Sequence, residues 1–408
     1  MVFKMHVYKI ALLGNKDHGK STTIGSLLML TKSISEARIE EAKRISNELN
    51  RPFEPGFLLD SFSEEREDAM TIDTTRAQIQ YKGKGFEFID VPGHEELIKN
   101  MLSGAAYADF ALAIVSAAPN EGISNQTKRH IFIANLIGIN KIIVAVNKMD
   151  AVNYDENRFN EIKKEITDYL IKIGVKNRDI KFIPISAYKG DNLVEKSSNM
   201  NWYNEDPLID LLHKTSSKKK KTNNKIFSAI IQGNITTEKG ELIAGKVISG
   251  AVNLNDTVVI EPDDIESKVE ILYVAGKEKE KAKAGNEIAL KLDKDINVEG
   301  RILCSRNEEI KSMRSLNVRA FFVDVPKEDK LKIKINNNEV YGLTKIIDSI
   351  DTSSGNHFSD NKIRALEAAD LDINLDKPVA AAKFNSIPEL GKLLFYEEGK
   401  FIGIGIII

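Results

Sequence analysis

The stretch VYKIALLGNKDHGKSTTIGSLLML, residues 7–30, decides the fold of the first half of the chain. An apolar run, VYKIALL, meets a loop bounded by glycines and passes into a helical pattern that begins STTIGSLLML. Gly14, Gly19, Lys20 and Ser21 satisfy the pattern G-x-x-x-x-G-K-[ST], with Asn15, Lys16, Asp17 and His18 inside it and Thr22 beyond. Glycines let backbone N–H groups curl around phosphates, and the N-terminus of the following helix adds a favourable dipole. In such a loop Lys20 reaches the outer phosphates and the Ser21 hydroxyl ligates Mg²⁺.

Working outward, FEFIDV, FALAIVSAA, KIIVAVNK and KFIPISA are further apolar runs bounded by turn or polar residues. Between the last two, Phe159, Ile162, Ile166, Tyr169, Leu170 and Ile173 recur at helical spacing. Near-continuous apolar strands separated by amphipathic helices predict a parallel sheet covered on both faces.

Three more patterns stand at strand ends. Asp90-Val91-Pro92-Gly93 is a D-x-x-G after FEFI; its aspartate is placed to hold the magnesium, and the Gly93 amide to sense a terminal phosphate. Asn147-Lys148-Met149-Asp150 is N-K-x-D. An aspartate there accepts hydrogen bonds from guanine N1 and N2, which adenine cannot supply, and a charged acceptor left unpaired rejects the wrong base. Ser186-Ala187 completes a base pocket by offering a backbone N–H to guanine O6. Together these predict a GTP site with Mg²⁺ held by Ser21, Thr71 and Asp90, and with His94 positioning the attacking water. Trp202, in NMNWYN, reads as a packing anchor.

The chain has 408 residues and 42% apolar content, enough for two or three domains. With 58 basic and 60 acidic residues, no basic surplus advertises broad nucleic-acid binding. The one cysteine, Cys304, excludes a disulfide within the chain and reads as a packed thiol in a strand. The start shows no signal core, and no run of about 18 apolar residues occurs. A soluble cytoplasmic protein without a membrane partner is expected. The lysine run in SSKKKKTNNK reads as a solvated linker. Beyond it, short β-type segments separated by turn residues predict small barrels, with one short helix near SDNKIRALEAA and a buried strand at the end, IGIGIII. The expected plan is an α/β P-loop domain, mostly parallel with helices on both faces, over residues 1–215. A Lys-rich linker at 216–224 and two all-β barrel domains, 225–310 and 311–408, follow.

GNKDHGKST, AMTID, DVPGH, NKMD and the SA of SAYKGDN together resemble the translation-factor class of GTPases. Within that class, TKRHIFIANLIGINKIIVAVNKMDAVNYDENRFNEI and SAYKGDNLVEKSSNMNWY are similar to the GTP-binding large subunit of sulfate adenylyltransferase. That resemblance covers roughly residues 5–212. It implies a subunit that couples GTP hydrolysis to adenylyl sulfate synthesis by a separate small catalytic subunit in a heterodimer, with release of residues 60–75 and 90–105 on loss of phosphate. The alternative is an elongation factor of the Tu or 1-alpha type, which implies aminoacyl-tRNA and the ribosome as partners. The family pattern has an apolar residue at Lys16 and usually isoleucine at Met70, the two sides of a gate around the catalytic histidine. Lys16 either adds positive charge to the transition state or points outward into solvent; the outward pose is expected.

Overall fold

The computed structural model describes residues 6–48, 50–59, 76–90, 108–139, 141–175, 179–217, 226–237, 240–294, 300–360 and 362–408. The chain divides into two compact units, residues 1–219 with 352–356, and residues 220–351 with 357–408.

In the first unit, β1 (Val7–Gly14) leads to α1 (Lys20–Leu30) and α2 (Glu36–Glu48), then β2 (Arg76–Tyr81), β3 (Lys84–Asp90) and β4 (Phe110–Ser116). It continues through α3 (Asn125–Leu136), β5 (Lys141–Asn147), α4 (Glu156–Lys172), β6 (Asp179–Pro184) and α5 (Leu208–Ser217). The six strands lie in the order β2-β3-β1-β4-β5-β6, all parallel except β2, which runs antiparallel to β3. All seven residues of β4 are buried. Such continuous burial follows from helices on both faces of a parallel sheet. Ile10, Leu12, Phe88, Leu112 and Ile143 pack with Ile24, Leu27 and Leu28 of α1 and with Leu208, Ile209, Leu211 and Leu212 of α5. The alternate residues Ala11, Leu13, Ala113, Val115, Val144 and Val146 are equally buried, and α3 lies against β1 and β4. On α4, Phe159, Ile162, Ile166, Tyr169 and Leu170 form the buried stripe that their spacing predicts, and Asp155 caps the helix through the Asn157 amide. Trp202 anchors its segment: its ring lies 5.4 Å from that of Phe159 and its Nε1 donates to Tyr154 O at 3.1 Å.

The second unit holds two barrels. The first comprises β7 (Ser228–Thr237), β8 (Gly240–Ser249), β9 (Ala251–Asn253), β10 (Thr257–Glu261), β11 (Ile265–Val274), β12 (Lys277–Glu278), β13 (Lys281–Lys283), β14 (Glu287–Leu292) and β15 (Ile302–Cys304). The order β10-β15-β7-β8-β14-β11 closes through a β10–β11 pairing, with β12 appended and β9 paired to β13. The second barrel comprises β16 (Lys311–Phe322), β17 (Lys330–Ile335), β18 (Asn338–Ile350), β19 (Glu367–Ala381), β20 (Lys392–Glu397) and β21 (Lys400–Ile407). It is closed in the order β16-β19-β18-β17-β20-β21, and closure leaves no free edge. Val259, Ile302, Cys304 and Ile310 share one apolar cluster with Ala380, Ala382, Ile387 and Leu390, which joins the barrels. Burial there lifts the Cys304 thiol to about 12, so it stays protonated and packs as an apolar group. The terminal run IGIGIII lies in the largely buried strand β21 up to Ile407, and Ile408 beyond it is exposed.

Two local expectations change. The helix expected near SDNKIRALEAA does not form: residues 362–364 have no regular structure, Leu366 takes a left-handed φ of 63°, and Glu367 opens the 15-residue β19. Pairing of the first half of β19 with both β16 and β18 outweighs the helical preference of Leu, Glu and Ala. The edge strand β2, RAQIQY, was not expected: alternating polar residues mark a strand buried on one face only. No helix among the described residues is long and apolar enough to cross a membrane.

Candidate functional site

The phosphate loop leaves β1 at a buried Gly14 with φ 144°; a Cβ there would meet Ile114 O of β4 at 2.6 Å. Asp17 and Gly19 both take left-handed conformations, φ 67° and 89°, which curl the backbone back toward α1. Lys20 folds across the loop, donating from Nζ to Gly14 O at 3.3 Å and to Asn15 O at 3.2 Å. Helix α1 starts at Gly19 with no capping side chain and no acidic residue in its first turn. Its first amides and positive dipole end are therefore unmatched by protein charge, the arrangement that receives an anion. Residues of this conformation and polarity fit a polyphosphate. Ser21 is exposed at the first turn and Thr22 half-buried; Ser21 is the described member of the expected Mg²⁺ set. Lys16 and Asp17 are exposed, and Lys16 forms no hydrogen bond or ion pair with another described residue. His18 lies buried beneath the loop, its Nδ1 3.4 Å from Ile114 O, and burial holds its imidazole below the ordinary value.

On the opposite side, β5 delivers Asn147 into the interior, 3% exposed. Its Nδ2 donates to His18 O at 2.9 Å, and its Oδ1 accepts from Ala187 N at 2.8 Å. One side chain thus ties the phosphate loop to the segment after β6. Ser26 of α1 adds a second tie, donating to Ala187 O at 2.7 Å. The Ala187 amide, expected to serve guanine O6, is already engaged by Asn147 in this structure. A left-handed Lys148, φ 62°, turns the chain so that the next residues form a short 3-10 turn, Met149–Val152. Asp150 Oδ1 accepts from Ser186 Oγ at 2.6 Å, and Oδ2 has no partner among the described residues. A carboxylate oriented by one oxygen and open at the other can accept from a base edge.

The structure therefore brings together Gly14 to Thr22 with Asn147, Lys148, Asp150, Ser186 and Ala187. Asp90 ends β3 and pairs in register with Leu12 of β1, two residues before Gly14. Thr71, Gly93, His94 and Met70, and the side chain of Asp90, lie outside the described residues. Motif reading missed Glu121, whose carboxylate holds Lys148 Nζ at 3.0 Å. It also missed Asp191, which accepts from Tyr154, Ser197 and Asn199 and so orders the 186–200 segment. Asp191 lies in SAYKGDN, of which only the Ser-Ala pair was read for function, and the hydrogen-bond partners of both residues lie up to 37 residues away in the chain.

With this geometry in view, residues 5–234 match the family model described as elongation factor Tu GTP binding domain. Elongation factor 1-alpha of Natronomonas pharaonis is 30% identical over 97% of this chain and 96% of its own length. The same-named protein of Thermococcus sibiricus is 40% identical over 64% of this chain and 59% of its own. Among solved structures, sup35 complexed with GMPPNP covers 99% of this chain and 94% of that chain, at 21% identity and a TM-score of 0.43.

These relatives correct the expectation of a sulfate adenylyltransferase subunit with a small catalytic partner. The similarity to the Natronomonas pharaonis protein runs on through both barrels, whereas the runs that suggested the sulfurylase fill α3, β5 and the base-side loop. There Ile131, Phe132, Ile133, Ala134, Val144 and Val146 are buried, so their identity answers to the common GTPase core and not to a partner. The chain belongs to the family of GTPases that resemble elongation factors Tu and 1-alpha.

Proposed function

We propose that the chain is a GTP-switched elongation factor of the 1-alpha type, which carries aminoacyl-tRNA to the ribosome. One observation carries this reading: similarity to elongation factor 1-alpha spans 97% of the chain, both barrels included, and not the GTP domain alone. The reading keeps the division into a GTP domain at 1–215 and barrels at 225–310 and 311–408.

In this reading Gly14, Asn15, Lys16, Asp17, His18, Gly19, Ser21 and Thr22 wrap the phosphates with their backbone. Lys20 neutralises the outer two. Ser21, Thr71 and Asp90 would hold Mg²⁺, which when bound would offset the negative charge of the phosphates. Gly93 registers the γ-phosphate and His94 orients the attacking water. Asn147, Lys148, Asp150, Ser186 and Ala187 hold guanine, with Asp150 giving selectivity over adenine. The net charge of −2 supplies no global attraction for RNA, so tRNA binding here rests on local lysines and weakens as salt rises.

The test is a native-gel shift of aminoacylated tRNA by the protein loaded with a non-hydrolysable GTP analogue or with GDP. A shift with the analogue and not with GDP is expected. No shift in either state, or an equal shift in both, would overturn the reading.

A further inference from the structure

Glu121 stands where three segments of the candidate site meet. Lys148 Nζ reaches both of its carboxylate oxygens, at 3.0 and 3.3 Å. The same carboxylate is hydrogen-bonded by Ser116 at the end of β4 and interacts with the buried His18 of the phosphate loop. The Ser116 hydrogen bond and then Lys148 keep it ionised, below the usual carboxylate range. Its backbone is held from behind by Arg158 of α4, which donates from Nη2 to Glu121 O at 3.0 Å and from Nε to Ala117 O at 3.2 Å. The 117–124 loop ends on Ser124, whose hydroxyl caps α3 through Thr127 N at 3.1 Å.

The ion pair is half-exposed, with side chains 32% and 38% accessible, so it adds little to stability. Its position is more informative. Lys148 lies between Asn147, which is tied to the phosphate loop, and Asp150, which presents an open carboxylate oxygen.

We infer that Glu121 is a positioning residue for the guanine nucleotide: by pairing with the Lys148 ammonium it holds the lysine stem along the base side of the site as an apolar wall. The inference rests on the guanine-nucleotide reading of this site. Long lysine stems cover apolar surface while the charged head is held elsewhere, and the flat face of a purine is such a surface.

The test is a double-mutant cycle on the dissociation rate of a fluorescent GDP, with Glu121→Gln, Lys148→Met and the double variant. Each single variant is expected to release GDP about tenfold faster, and the double variant no faster than the more affected single. Glu121→Asp, which keeps the charge, should restore part of the wild-type rate. A double variant about a hundredfold faster, or an unchanged rate in Glu121→Gln, would overturn the inference. So would equal loss in Glu121→Asp and Glu121→Gln, the mark of a merely structural role. Equal affinity of the wild type for GDP and ADP would overturn the guanine reading itself and this inference with it. A GDP-selective wild type with multiplicative variants would overturn the inference alone.

Discussion

Replacing Asn147 by alanine is expected to loosen the phosphate side and the base side of the site in one step. The side chain is 3% exposed and makes two hydrogen bonds of good length, 2.9 Å to His18 O and 2.8 Å from Ala187 N. Alanine strands a buried carbonyl and a buried amide, each at a cost of about 1–3 kcal/mol. Local relaxation recovers part of that, which leaves roughly 3 kcal/mol, or about a hundredfold in an equilibrium constant. The packing around the tie is close: a Cβ on Gly19 would overlap Asn147 Nδ2. GDP titration by calorimetry and thermal unfolding of the same samples read the result. Loops that come apart in the free protein must be reordered on binding, so the loss should fall mainly on GDP affinity, with a smaller fall in melting temperature. A dissociation constant within threefold of wild type, together with an unchanged melting temperature, would refute the reasoning.

Asp150→Asn removes a charged acceptor that Ser186 orients at 2.6 Å. Competition binding is expected to show a loss of about a hundredfold for GTP and no remaining preference over ATP, and an unchanged preference removes Asp150 from the base pocket. In Gly25→Ala the added methyl would overlap Pro55 O inside a packed helix contact, and a loss of about 1–3 kcal/mol by urea unfolding is expected. A wild-type midpoint would show that the 55–56 backbone gives way freely. For pH, burial keeps the folded His18 below its ordinary value of about 6.5, so the unfolded chain binds more protons. The contribution is intact above that value and lost as pH falls through it, until the folded ring itself protonates. The stability difference between wild type and His18→Gln should therefore change between about pH 7 and 5, and parallel pH profiles would count against the buried neutral ring.

What could be read from the sequence was what local chemistry constrains. A phosphate loop needs glycines at Gly14 and Gly19 and a lysine at Lys20 within eight residues, so the strand, loop and helix were legible together. The same holds for the β4 and β5 runs, whose burial on two faces leaves a nearly unbroken apolar signal. The 362–369 stretch was misread because barrel closure, a long-range effect, decides it. The Asn147 bridge spans 129 residues in one direction and 40 in the other, and no local pattern encodes such a contact. The choice between sulfurylase and elongation factor failed for a related reason. The segments used for it are core segments of α3 and β5, where packing permits few residues, so they say little about which of the two kinds of protein carries them.

Helix α1 begins without a side-chain cap, and this has a consequence for how the protein is handled and how it exchanges ligands. A helix whose first turn is left for a ligand to complete has no finished ground state of its own. Water or any small anion in the buffer must serve in the nucleotide's place. Inorganic phosphate and sulfate are thus weak competitors by construction, and apparent nucleotide affinities will drift with the choice of buffer salt. In a cell the same property means that an emptied site does not stay empty: phosphate-bearing solutes fill it in proportion to both their concentration and their affinity, and the base pocket decides among them.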